Sequence, residues 1–205
     1  MVRIFLTGYM GAGKTTLGKA FARQMDIPFV DLDWYIEERF HKTVGELFTE
    51  RGETGFRELE RNMLHEVAEF ENVVISTGGG APCFFDNMDF MNRTGKTVFL
   101  DVHPDVLFRR LRVAKQQRPI LQGKEDDELK AFIVQALEKR APFLSPGTIL
   151  SLMQTNWKTV GRLKHQCNVC NNFLDYNLCL NCISDFIFLI LFIVHSVNIS
   201  TLHSL

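Results

Sequence analysis

The stretch Arg3-Ile4-Phe5-Leu6-Thr7-Gly8-Tyr9-Met10-Gly11-Ala12-Gly13-Lys14-Thr15-Thr16 decides the fold. Arg3–Thr7 is an apolar run of strand length, Gly8–Thr15 is a full match to G-x-x-x-x-G-K-[ST], and Thr15–Met25 continues with a helical pattern. The strand-turn-helix context separates a phosphate cradle from a glycine-rich turn that happens to carry an exposed lysine. Gly8, Gly11 and Gly13 allow backbone conformations and close approaches that a Cβ would obstruct, so successive N–H groups can face phosphate oxygens at a helix N-terminus. Gly11, Ala12, Gly13, Lys14, Thr15 and Thr16 are therefore expected to bind ATP, with Lys14 reaching the β- and γ-phosphates and the Thr15 hydroxyl on Mg²⁺. The motif fixes nucleotide binding and leaves the phosphoryl acceptor open.

Outward from this loop, short apolar runs alternate with longer amphipathic stretches up to about Phe143. That alternation is the signature of βαβ units around a parallel sheet. Strands are expected at Arg3–Thr7, Phe29–Asp31, Val73–Ser76 and Thr97–Asp101, with Thr148–Met153 as the candidate fifth. Helices are expected at Thr15–Met25, Trp34–Phe40, Val44–Arg51, Arg57–Phe70, Pro104–Lys115 and Asp127–Arg140. The formal net charge of −1 gives no overall pull toward nucleic acid or anionic membrane. The opening residues lack the basic start and long apolar run of a secretory signal, and Cys83 is the sole cysteine of the first 150 residues, so a reducing, cytoplasmic setting is expected.

Past Phe143 the composition changes. Residues 151–205 carry only Lys158, Arg162, Lys164, Asp175 and Asp185 as charged side chains and are rich in Asn, which divides the chain into a kinase-like domain over 1–153 and a divergent tail over 154–205. Phe186–Val194 is apolar but well short of the roughly 20 residues of a spanning helix, so no membrane anchor is expected. Cys167-x-x-Cys170 and Cys179-x-x-Cys182 could offer four thiolates to Zn²⁺, yet their gap is shorter than the usual ribbon spacing and fortuitous spacing is the favoured reading.

Several features of the first 143 residues could build an acceptor site. Asp31 and Asp33 would share one face if the second strand continued through them, one serving the metal and one the acceptor; alternatively, an Asp at a strand end is a helix cap. Phe56-Arg57-Glu58-Leu59-Glu60 opens a helix, Ser76-Thr77-Gly78-Gly79-Gly80-Ala81 ends the third strand, and Arg118-Pro119-Ile120-Leu121 and Lys139-Arg140-Ala141-Pro142-Phe143 follow. The ordered set of phosphate loop, DxD, FRxxE, GGGA, RPIL and KRAPF resembles the shikimate kinase family over roughly residues 1–143.

The resemblance implies a three-layer α/β/α kinase with a five-stranded parallel sheet and a lid, transferring the γ-phosphate of ATP to the 3-hydroxyl of shikimate on the route to chorismate and aromatic amino acids. It implies that Asp33 hydrogen-bonds the shikimate hydroxyls and orients or deprotonates the attacking one, while Asp31 holds Mg²⁺ through water. Arg57 and Arg140 resemble the pair that grips the shikimate carboxylate, a task suited to a guanidinium with two parallel donors. The Gly79 N–H completes that pocket, Arg118 matches the lid arginine that stabilises charge on the transferring group, and Arg110 lies against adenine. Glu60 is read as a structural partner for a nearby arginine, and Cys83 as a small buried hydrophobe. A monomer acting on two small molecules is expected. The competing readings are a gluconate-type kinase and a catalytically impaired nucleotide-binding protein with an aberrant or zinc-binding tail.

Overall fold

The computed structural model of the protein describes residues 2–113, 121, 123, 125–144 and 150–154. Arg118, the four tail cysteines and Phe186–Val194 lie outside these residues, so the lid, zinc and anchor readings are not addressed by it. Met1–Thr155 form one compact unit.

The elements run β1 (Arg3–Gly8), α1 (Lys14–Met25), β2 (Phe29–Asp31), α2 (Leu32–Phe40), α3 (Val44–Val67), β3 (Val73–Ser76), a 3₁₀ turn (Ala81–Cys83), α4 (Asn87–Thr94), β4 (Lys96–Val102), α5 (Pro104–Val113), α6 (Asp126–Leu144) and β5 (Leu150–Gln154). All strand pairs are parallel and the sheet order is β2-β3-β1-β4-β5. The expected fifth strand is present, displaced slightly to Leu150–Gln154, with Leu152 opposite Leu100.

A parallel sheet is covered on both faces, so its strands should be apolar throughout rather than alternating. β1 meets this demand, since Ile4, Phe5 and Leu6 are all buried. On one side Phe5, Val73 and Ile75 pack with Leu32 and Ile36 of α2, Leu47, Phe56, Leu59 and Leu64 of α3, and Met88 and Met91 of α4. A second cluster joins Leu100 and Val102 of β4 to Val106, Leu107 and Leu111 of α5 and Leu129 and Ile133 of α6.

Two differences from the sequence expectation have physical causes. The second strand does not continue through Asp33: β2 stops at Asp31 and α2 begins at Leu32, because Leu32 and Ile36, four residues apart and fully buried, hold this segment to a helical period. α3 is two helical stretches, as expected, separated at Gly52 (φ 66°, ψ 179°), a non-helical conformation open chiefly to glycine, with the second stretch starting before Arg57. α4 was not expected from the sequence, its short apolar face of Met88, Phe90 and Met91 being interspersed with polar residues. α3 opens with a capping box, in which Thr43 accepts from the Glu46 N–H while the Glu46 carboxylate accepts from the Thr43 N–H.

Candidate active site

The phosphate loop is shaped by its glycines. Gly8, Gly11 and Gly13 take φ of 145°, 78° and 97°, so each lies where side chains are strained, and a Cβ on Gly8 would press to 2.9 Å from the Leu100 carbonyl. Gly13 is the N-cap of α1, which leaves the first N–H groups of that helix for an anion. Lys14 Nζ reaches back across the loop to the carbonyls of Gly8 (2.9 Å) and Tyr9 (3.1 Å). From α5, Arg110 donates through Nη1 to the carbonyls of Gly11 (3.0 Å) and Ala12 (3.1 Å), bracing the loop from the second half of the sheet. Thr16 follows Thr15 on the exposed side of α1.

Asp31 occupies the N-cap position of α2 without a capping bond from its side chain. Its Oδ2 instead accepts from Thr15 Oγ1 at 2.7 Å, so the first turn of α1 and the end of β2 bring the two expected metal ligands together. Both donors are hard oxygens, and among the described residues no group of three or more His, Cys, Asp or Glu side chains gathers elsewhere as a metal site. That donor set fits Mg²⁺, which keeps several waters and takes further oxygens from nucleotide phosphates rather than filling a protein cage.

Three consecutive glycines after β3 form the floor on which the acceptor-side residues converge. A Cβ on Gly78 would stand 2.5 Å from Glu60 Oε1 and 2.8 Å from Asp33 Oδ1; one on Gly80 would stand 2.7 Å from Arg57 Nη2. Gly79 faces the other half of the site, where Arg140 Nη1 donates to its carbonyl at 2.8 Å and the Met10 amide nitrogen lies 3.3 Å from its Cβ position. Asp33, Glu60, Arg57, Arg140 and the phosphate loop thus meet across one short segment, although they come from four separate elements.

The electrostatics are those of a crowded carboxylate pair with cations nearby. Asp33 is open to the cleft but ringed by protein, and this partial loss of hydration, reinforced by the Asp31 charge, raises its pKa above the ordinary Asp value against the pull of Lys14 and Arg57. Glu60 is 1% exposed, and burial raises its pKa even though Arg57 Nη1 bonds its Oε2 at 2.7 Å. The expectation that Glu60 partners an arginine is met, the pair being one helical turn apart on α3. The Arg57 guanidinium carbon also lies 4.2 Å from the Phe84 ring centroid, 5.3 Å from that of Phe48 and 5.5 Å from that of Phe56. Arg140 lies 4.9 Å from the Tyr9 ring centroid. Cys83 is half-buried, and burial pushes its thiol pKa up, away from nucleophilic character.

Sequence reasoning singled out the charged residues and missed the aromatic ones behind them. Tyr9 and Phe84 approach their arginines across long stretches of chain, and no local spacing announces such contacts.

A glycine-rich phosphate loop at the end of the central strand, a Thr–Asp oxygen pair beside it and an adjoining cleft lined by Asp33, Arg57 and Arg140 define a P-loop α/β kinase. Residues 10–151 match the family described as Shikimate kinase. A shikimate kinase of Bacteroides thetaiotaomicron is 91% identical over 143 residues, covering 70% of this chain and 82% of that protein. The crystal structure of shikimate kinase from the same organism superposes with a TM-score of 0.72 at 77% identity, over 80% of this chain and 97% of that one. A shikimate kinase from Acinetobacter baumannii, solved in complex with shikimate, gives a TM-score of 0.68 at 28% identity, over 83% of this chain and 96% of that one. The chain belongs to the shikimate kinase family. No helix among the described residues is long and apolar enough to cross a membrane.

Proposed function

We propose that this chain phosphorylates the 3-hydroxyl of shikimate with ATP and Mg²⁺, as a cytoplasmic monomer. The observation that carries the reading is the convergence of Asp33, Arg57 and Arg140 on Gly78–Gly80, next to the phosphate loop. A carboxylated, polyhydroxylated ring needs what this cleft offers: guanidinium donors for its carboxylate and a carboxylate acceptor for its hydroxyls.

In this reading Arg57 and Arg140 bind the shikimate carboxylate, and the Gly79 backbone adds a donor. Anchored at that end, the ring presents its 3-hydroxyl to Asp33, which accepts its hydrogen bond and aligns the oxygen with the γ-phosphorus. Phosphoryl transfer through a loose transition state depends on alignment and charge neutralisation and needs no covalent enzyme intermediate. Lys14 turns from the Gly8 and Tyr9 carbonyls to the β- and γ-phosphates, and Arg110 keeps Gly11 and Ala12 in place while the loop amides take the phosphate oxygens. Thr15 and Asp31 would hold Mg²⁺, which when bound supplies positive charge to neutralise the transferring phosphates. Arg118 is assigned to the same neutralising task from the lid by its motif alone.

A coupled assay of ADP release from the full chain with ATP, Mg²⁺ and shikimate tests the reading directly. Shikimate-dependent ADP release with formation of shikimate 3-phosphate is expected. A folded chain that binds ATP but releases no ADP on adding shikimate would refute it.

A further inference from the structure

Arg57 has an unusual set of neighbours for an arginine that binds an anion. Its side chain is only 13% exposed, Nη1 is spent on Glu60, and Nε is buried without a hydrogen-bond partner among the described residues. Glu53, the other carboxylate within reach, stands 4.0 Å from Nη2 and is 67% exposed. Carboxylates alone therefore do not account for how the guanidinium is fixed. The remaining contacts are aromatic, and Phe84 is the nearest of three rings at 4.2 Å.

A ring face attracts a guanidinium through its quadrupole and uses none of the N–H donors. A second carboxylate would hold the arginine as firmly but would occupy the donors and cancel the charge that an anionic ligand needs. An aromatic support is thus the kind that stabilises the cation while leaving its N–H edge for a ligand.

Phe84 is itself fixed from an independent direction. Arg61, one helical turn beyond Arg57 on α3, bonds Asp86 through Nε at 2.8 Å and lies 5.9 Å from the Phe85 ring. Phe85 takes φ 52°, a left-handed conformation costly for a bulky side chain, and Asn87 is fully buried with Nδ2 donating to the Ala81 carbonyl at 2.9 Å. Two successive turns of α3 therefore clasp the 84–86 segment, which follows directly from the glycine floor and the Ala81–Cys83 turn.

We propose that Phe84 is a positioning residue for acceptor binding, presenting the Arg57 guanidinium to the substrate carboxylate through its ring face. The proposal rests on the assignment of Arg57 to that carboxylate. Phe84 touches no reacting atom, so its effect falls on acceptor affinity and not on the phosphoryl-transfer step or on ATP.

The test compares Phe84→Leu, which keeps apolar bulk but removes the ring face, with Phe84→Tyr, which restores it, and with Arg57→Ala. Shikimate dissociation constants are measured by calorimetry on the full chain, alongside KM for each substrate and kcat. Phe84→Leu is expected to weaken shikimate about three- to tenfold, in keeping with a partly desolvated cation–π contact, with ATP KM and kcat unchanged and Phe84→Tyr close to the parent. Parental shikimate affinity in Phe84→Leu, with Arg57→Ala weakened, would overturn the role of Phe84 alone. Equal weakening in the Leu and Tyr variants would overturn it too, because the site would then depend on packing shape rather than on a ring face. Unchanged affinity in Arg57→Ala would overturn the assignment of Arg57, and this proposal with it.

Discussion

Replacing Gly80 by Ala tests whether the glycine floor is where acceptor binding is set. The backbone of Gly80 (φ −101°, ψ −22°) is one alanine adopts readily, so the substitution acts through space and not through conformation. The added Cβ would stand 2.7 Å from Arg57 Nη2 and 3.0 Å from both Cζ and Nη1; ordinary contact begins at 3.4 Å, so the guanidinium must give by about 0.7 Å. Arginine ends are usually free to move. This one is tied to buried Glu60 at 2.7 Å and lies beside Phe84 at 4.2 Å, so it shifts only by loosening those contacts. Such a shift would misalign at least one charge-assisted bond to the substrate carboxylate, a loss of about 1.5–3 kcal/mol, or roughly ten- to 150-fold in shikimate affinity. Steady-state kinetics with shikimate varied at saturating ATP, together with a separate ATP titration and a thermal melt, read the result. Raised shikimate KM with parental ATP affinity and a cooperative melt is expected. A folded Gly80→Ala chain with parental shikimate KM would refute the reasoning, as would parallel losses for both substrates.

Asp33→Asn should abolish most turnover while sparing ATP binding. It should also raise the melting temperature at pH 7: the folded pKa of Asp33 is raised, so the native state holds its proton longer than the unfolded chain, and stability falls as pH climbs from the ordinary Asp value through the raised one. Melts across pH 3–8 check the sign, and an Asn variant that is less stable at neutral pH would contradict it. The acid limb of kcat/KM should likewise lie above the pH expected for an unperturbed aspartate. Tyr9 is 3% exposed and its hydroxyl has no partner among the described residues, so Tyr9→Phe should leave urea stability unchanged or raise it by about 1 kcal/mol; a clear loss would reveal a bond to that hydroxyl. Gly18→Ala should destabilise by about 1–3 kcal/mol despite alanine's better helix propensity, since its Cβ would meet Phe29 Cε2 at 2.3 Å and Leu6 Cδ1 at 3.0 Å. Denaturant midpoints decide whether packing outweighs propensity there.

What could be read from the sequence was governed by how local each determinant is. The phosphate loop was legible because its signal is contiguous: three glycines, a lysine and a hydroxyl within eight residues, with the strand before and the helix after. β1 and β3 were legible because burial on both faces leaves continuous apolar runs, whereas β2 and β4, only partly buried, were legible as short β-branched and aromatic runs ending in an acidic residue, and Thr148–Met153 was picked out by its apolar composition alone. Of the two readings left open for Asp31 and Asp33, the continued strand fails because buried Leu32 and Ile36 impose a helical period from the next residue onward, and the cap reading holds in position only, since Asp31 is the N-cap of α2 without a side-chain capping bond. The break at Gly52 agrees with the two separate helical patterns, Val44–Arg51 and Arg57–Phe70, on either side of it. The supports of Arg57 and Arg140 depend on Phe84 and Tyr9, 27 and 131 residues distant in the chain, and only the folded sheet brings them together.

The location of the proposed acceptor site sets it apart from the change of composition after Phe143. Parallel α/β sheets bind ligands beyond the carboxyl ends of their strands, where adjacent loops diverge. Here Gly8 closes β1, Asp31 closes β2 and Gly78–Gly80 follow β3, while Arg57 and Arg140 reach in from α3 and α6. Each of these residues precedes position 143, and each is held by contacts to others that also precede it: Asp31 by Thr15, Arg57 by Glu60 and Phe84, Arg140 by Gly79 and Tyr9. β5 joins the sheet on the far side of β4, next to the strand that leads into α5 and Arg110, and so belongs to the nucleotide half. Changes in the later sequence should therefore register first in ATP affinity, with shikimate binding in the absence of nucleotide remaining the more robust of the two.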